Sequence, residues 1–73
     1  MANIELKRIE EQLNHRVLYS VKVSADTDHM EFPVGIQDRG SATDNEAAVL
    51  TSALAFAEEI EAAARLRLGA ATR

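Results

Sequence analysis

Between Gly40 and Gly69 the chain contains neither glycine nor proline, and one helical period runs through almost the whole interval. No other feature limits the fold as strongly, because a helix over residues 44–68 claims over a third of a 73-residue chain. Its ends are marked. Ser41 and Thr43 are cap candidates, and Thr43 followed by Glu46 makes the capping-box pattern that satisfies orphan N–H groups. Asp44 and Glu46 suit the positive end of the helix dipole, while Arg65 and Arg67 suit the negative end. Glu61 and Arg65 form an i,i+4 pair in the favourable orientation, and Gly69 is the expected stop.

A helix of this length spans about 37 Å at 1.5 Å per residue. The strands available to it are seven or eight residues long, about 25 Å. The rod is therefore expected to overhang its platform by about two turns. In helical projection Val49, Leu50, Ala53, Phe56, Ala57, Ile60 and Ala64 form a broad apolar stripe, with Leu54 and Leu68 on its margin. That stripe is the expected sheet-facing side. On the far side Ala48, Ala55 and Ala62 recur every seven residues in line with Leu66, a spacing of small residues that lets a second helix approach closely. Helix propensity alone accounts for the same alanines without any contact, and a first helix carrying Leu6, Ile9 and Leu13 could also occupy this seam within the same chain.

The platform is legible in two alternating runs. In "VLYSVKVS" the residues Val17, Tyr19, Val21 and Val23 share one face, and in "HMEFPVGIQ" Met30, Phe32, Val34 and Ile36 do the same. A hairpin turning at Asp26–Thr27 pairs 23 with 30, 21 with 32, 19 with 34 and 17 with 36. Every apolar residue then meets an apolar residue, and a slip of one position would undo all four matches. Pro33 has no N–H to donate. A two-residue loop puts the pair 20–33 at a non-hydrogen-bonded position and turns that nitrogen outward, whereas a four-residue loop would turn it inward; Asp-Thr is a poor two-residue loop, yet the outward proline is the better fit. Strand 30–36 is then blunted along its outer edge, and strand 17–23 keeps an edge that can accept another strand.

The first segment, "NIELKRIEEQLNHR", sets Leu6, Ile9 and Leu13 at i, i+3 and i+7, which predicts a one-faced helix over 3–14 with Asn3 as its cap. The competing reading takes Ile4 and Leu6 as a short alternating strand. The expected architecture is one α+β domain over 1–73, in the order helix 3–14, strand 17–24, strand 29–37, helix 44–68.

Such a domain has little to hold it together. Thirteen of the apolar residues are alanines, about twenty are large, and there is no tryptophan. A chain this short buries only about 60% of its unfolded surface. Cysteine is absent, so neither disulfides nor thiolate metal sites can supplement the core. Association is the remaining support, and a homodimer is expected, with strand 17–23 meeting its symmetry mate in a four-stranded sheet. Val17, Tyr19 and Val21 on that strand, and Ala48, Ala55, Ala62 and Leu66 on the helix, are the candidate contact residues.

The net charge of −4 is mixed along the sequence, which disfavours a non-specific phosphate binder. The charged start "MANIELKRIEEQ" does not resemble a secretion signal, and the apolar runs are too short to span a membrane. A soluble cytoplasmic protein is expected, and arginine in excess of lysine with much alanine fits a bacterial or phage gene.

Candidate chemistry is sparse. His29, with Asp26, Asp28 and Glu31 nearby, is the most ligand-like group, but strand geometry divides these side chains between two faces and no second histidine completes a set. His15 and Arg16 are placed to serve carbonyls at the end of the first helix. Ser20, Ser24, Ser41 and Ser52 lack an adjacent histidine–acid pair, and Glu58, Glu59 and Glu61 read as a solvated helical face. Gly35, Gly40 and Gly69 are scattered, with no phosphate-cradling pattern. No cofactor, metal or catalysis is expected. The function expected is a non-catalytic protein–protein interaction module, a small regulator or inhibitor. The alternative is a dimeric nucleic-acid binder using Lys7, Arg8 and Arg16 near the first helix and Arg65, Arg67 and Arg73 near the last.

Overall fold

A computed structural model describes residues 2–71, with side chains as far as residue 69. Three antiparallel strands, β1 (Asn3–Gln12), β2 (Arg16–Ser24) and β3 (His29–Gln37), form a sheet in the order β1-β2-β3, and one helix, α1 (Ala42–Ala71), follows. The class is α+β, but the order is strand–strand–strand–helix.

The first segment is a strand and not a helix. It pairs with β2 from Asn3↔Ser24 to Arg8↔Tyr19, is interrupted at Ile9, and resumes from Glu10↔Leu18 to Gln12↔Arg16. Leu6, Ile9 and Leu13 thereby lose the common face that helical spacing promised. Leu6 packs against the core, Ile9 sits at the bulge half exposed, and Leu13 lies 87% exposed in the following turn. The reason is the edge of β2. An isolated helix of this length is marginal in water, and three large side chains give it little to bury. As a strand, the same residues satisfy a full row of unpaired backbone groups on β2 and carry Ile4 and Leu6 onto the apolar face. The link from β1 to β2 is residues 13–15, and it turns at Asn14 and His15, both left-handed at φ 64° and 59°. Gln37 Nε2 donates to the Asn14 carbonyl at 3.1 Å, and the Asp38 N–H donates to the His15 carbonyl at 2.7 Å. His15 therefore shapes a turn; there is no helix end here for it or Arg16 to serve.

The β2–β3 register is the one read from the alternation, with Val23↔Met30, Val21↔Phe32, Tyr19↔Val34 and Val17↔Ile36. Ala25 N–H donates to the Asp28 carbonyl at 2.7 Å, so 25–28 closes a two-residue loop. Alternation from that pair makes Ser20↔Pro33 a non-hydrogen-bonded pair, and the proline nitrogen faces the open side of β3.

Helix α1 crosses the apolar face. Val17, Tyr19, Val21 and Ile36 of the sheet and Val49 of the helix are the buried hydrophobic core, with Leu6, Val23, Phe32, Val34, Ala48 and Ala53 packed around them. Ser41, and not Thr43, is the cap: its Oγ accepts the Asp44 N–H at 3.1 Å and its carbonyl accepts the Asn45 N–H at 3.0 Å. Asn45 is 1% exposed and locks the loop before the helix. Its Oδ1 accepts the Arg39 N–H at 2.7 Å, and its Nδ2 donates to Asp38 Oδ1 at 3.1 Å. Asp38 Oδ1 also accepts the Gly40 N–H at 2.9 Å. That bond, then the one from Asn45, holds the Asp38 carboxyl below its ordinary pKa, helped by Arg8 and His15 and opposed by partial desolvation.

At its other end α1 continues through Gly69 to Ala71, so the glycine does not stop it, and no basic residue occupies its last turn. Thirty residues make a rod of about 45 Å over strands of about 30 Å. The molecule measures 49 × 27 × 16 Å, and its radius of gyration is 14.8 Å. About 11 Å is usual for a compact chain of this length. Among the described residues no helix is long and apolar enough to cross a membrane.

Candidate interaction surface

The strand register stacks side chains in cross-strand rows beneath α1, and the rows differ sharply in how well they are covered. At the end near the helix start, Val17 and Ile36 are sealed by Val49. At the opposite end, Ile4, Val23 and Met30 form the last row, and Ile4 and Met30 remain about half exposed. Between that end of the sheet and the middle of α1 lies a cleft of about 370 Å³. Its floor is Ile4, Val21, Val23, Met30 and Phe32, and its helical wall runs from Leu50 through Leu54 and Ala57 to Ile60. Phe56 leans on Phe32 with ring centroids 5.7 Å apart and a tilt of 55°, an ordinary attractive aromatic geometry. Every side chain named here is apolar. The cleft can desolvate another apolar surface, but it carries no group to polarise a bond or accept a proton.

Exposure extends beyond the cleft. All described side chains from Leu54 to Gly69 are exposed, including Leu66 at 76% and Leu68 at 64%. A compact protein of 8.0 kDa exposes about 4,450 Å² by the usual scaling with mass. This chain exposes 5903 Å², about 1,450 Å² more than that scaling gives.

The contact residues expected from sequence are divided by the structure. Val17, Tyr19 and Val21 are buried in the chain's own core, and β1 occupies the edge of β2 on which a symmetry mate was expected. That edge is satisfied within the chain. Ala48 packs against the core, whereas Ala55, Ala62 and Leu66 are exposed, so the heptad of alanines is not one continuous free face. The cleft residues on β1 and β3 were hidden from sequence reading, because Ile4 belongs to a segment with helical spacing and Met30 to a strand expected to be covered. One signal was available: Leu50, Leu54 and Ala57 begin a four-three alternation along α1.

The basic residues do not converge. Lys7 and Arg16 project from the outer face of the sheet by strand alternation, in a field that includes Glu5, Glu10 and Glu31. Arg16 lies across β3, where a Cβ at Gly35 would stand 3.3 Å from its Nη2. Arg8 is held by Glu11 at 2.6 Å and Arg65 by Glu61 at 2.9 Å. Arg67 is exposed on the overhanging end of α1, a sheet's length from Arg16, and Arg73 lies outside the described residues. A wide, polar depression between β3 and the start of α1 carries both signs, Arg16 and Arg39 against Asp44.

The turn region is polar and solvated. His29 is exposed at the start of β3, and Glu31 Oε2 accepts a hydrogen bond from Ser20 Oγ at 2.8 Å. Among the described residues no group of three His, Cys, Asp or Glu side chains is disposed to hold a metal ion. No family model, no curated protein and no solved structure matches this chain.

Proposed function

We propose that this chain is a non-catalytic protein-interaction module, a small regulator or inhibitor that works as a homodimer. The observation that carries the reading is the imbalance of apolar side chains. Among the described residues, ten large hydrophobics are exposed while five hydrophobics are buried. Eight of the ten, all but Ile9 and Leu13, lie along one helix and the adjoining end of one sheet, and contiguous apolar exposure of this kind marks association surfaces. Closing that surface with a second chain would supply the burial that a domain of this size lacks.

The mechanism is surface complementarity. The outer edge of β1 presents unpaired backbone groups to which an extended segment of a protein partner can add. Pro33 discourages the same addition on β3. A protein partner is favoured over nucleic acid because the cations are dispersed and two of them are engaged by carboxylates. Size-exclusion chromatography with light scattering at micromolar concentration is expected to report twice the 8.0 kDa chain mass. A clean species at the chain mass overturns the homodimer.

A further inference from the structure

We propose that the cleft is filled by the overhanging end of α1 from a second copy of this chain, lying antiparallel; the proposal rests on the homodimer reading above. Three observations single out that occupant. The first is spacing. The wall residues Leu50, Leu54 and Ala57 are followed at the same alternation by Glu61, Ala64 and Leu68, a four-three-four-three-four run on one face of α1. The run is symmetric about residue 59. Reversed against itself, it sets Leu50 beside Leu68, Leu54 beside Ala64, and Ala57 beside Glu61. Large faces small in the middle layer, and the carboxylate at the centre meets only a methyl group. Arg65 of the same copy, 2.9 Å from Glu61, balances its charge there.

The second observation is length. Ile60 is the last helix residue on the cleft, beside Ile4 and Met30 at the end of the sheet. The wall from 50 to 57 and the overhang from 61 to 68 are each about 10 Å long. An antiparallel pair therefore lays each overhang in the other copy's cleft and brings each sheet over the other's bare helix. A parallel pair would lay overhang against overhang, leave both clefts unfilled and set Glu61 against Glu61. The third is area. The surplus of about 1,450 Å² per chain exceeds the roughly 800 Å² that each partner contributes to an ordinary stable interface.

Cysteine pairs test the register on the full chain, which has no cysteine of its own. In the double variant Leu54→Cys with Ala64→Cys, the two thiols lie about 15 Å apart along one helix, too far to bridge within a chain. Oxidation is expected to give a covalent dimer from the double variant and none from either single variant. Glu61→Leu is expected to tighten the wild-type dimer about tenfold, and Leu54→Glu to weaken it about a hundredfold. Leu54 is 61% exposed in the single chain, so Leu54→Glu should leave the monomer folded, and circular dichroism checks this. A covalent dimer from Leu54→Cys alone overturns the antiparallel register. A wild-type dimer whose double variant does not cross-link overturns this seam and leaves the homodimer reading standing. A monomeric wild type overturns both, including the case in which the cleft accepts some other protein.

Discussion

The two halves of α1 are both rich in alanine and live in different surroundings. Residues 42–53 are capped by Ser41, clasped through Asn45 and packed through Ala48, Val49 and Ala53. Residues 54–69 expose every side chain. Leucine content does not explain the difference, since Leu50 alone falls in the packed half and Leu54, Leu66 and Leu68 all fall in the bare one. Position over the sheet does. The first half is stabilised by burial, and the second inherits its helical state by continuing a nucleus already formed, because adding a residue to a helix is far easier than starting one.

Substitution should expose that asymmetry most strongly at the core. Val49 is fully buried, and Val49→Asp places an unpaired charge there, costing at least about 3 kcal/mol and unfolding a domain this small. Leu66→Asp in the bare half should shift monomer stability by no more than about 0.5 kcal/mol. Urea denaturation followed by far-ultraviolet circular dichroism measures both, and equal losses would erase the distinction between the halves.

Asn45→Ala should come next, at about 1–3 kcal/mol, since it deprives the Arg39 N–H and Asp38 of their partner. Asp38 adds a pH signature to this clasp. Its folded pKa lies below the ordinary value of 3.8, so its contribution is present above that value and fades as pH falls through the lower folded pKa. Asp38→Asn should flatten the part of the acid-denaturation curve below about pH 4, with the wild-type chain as reference. A steeper curve would contradict the assigned direction.

The smallest effect on global stability is expected at Gly69. It lies inside the helix with nothing within 4 Å of an added Cβ. Gly69→Ala should firm the last turns by about 0.5–1 kcal/mol of local helix free energy, visible as slower amide exchange there and as almost no change in the global midpoint. A large change in midpoint would show that the bare half is coupled to the core more tightly than its packing implies.

How far the fold could be read depended on whether a segment's partner was local. The β2–β3 hairpin needed only its own alternation and a turn, and Pro33 fell where a missing donor is harmless. The helix needed only an uninterrupted period and a polar start, although the cap was Ser41 and the end ran past Gly69. Residues 3–12 were different, because Leu6, Ile9 and Leu13 satisfy a helical template as written. Their conformation was settled by a neighbour's edge. The candidate surface suffered the same way: Leu50, Leu54 and Ala57 were visible as apolar, but their exposure depends on where the sheet ends beneath them, and Ile4 reaches them only through β1.

What the sequence by itself determined is therefore the set of structures that close over short range: one hairpin register, one long rod, and a supply of large apolar side chains too small for a generous core. Only the tertiary structure decided that the opening segment is an edge strand, that β2 lies in the middle of the sheet, and that half of the rod stays bare. The physical reason is that periodicity records which side chains share a face, whereas burial depends on which backbone edge or sheet surface arrives to meet that face.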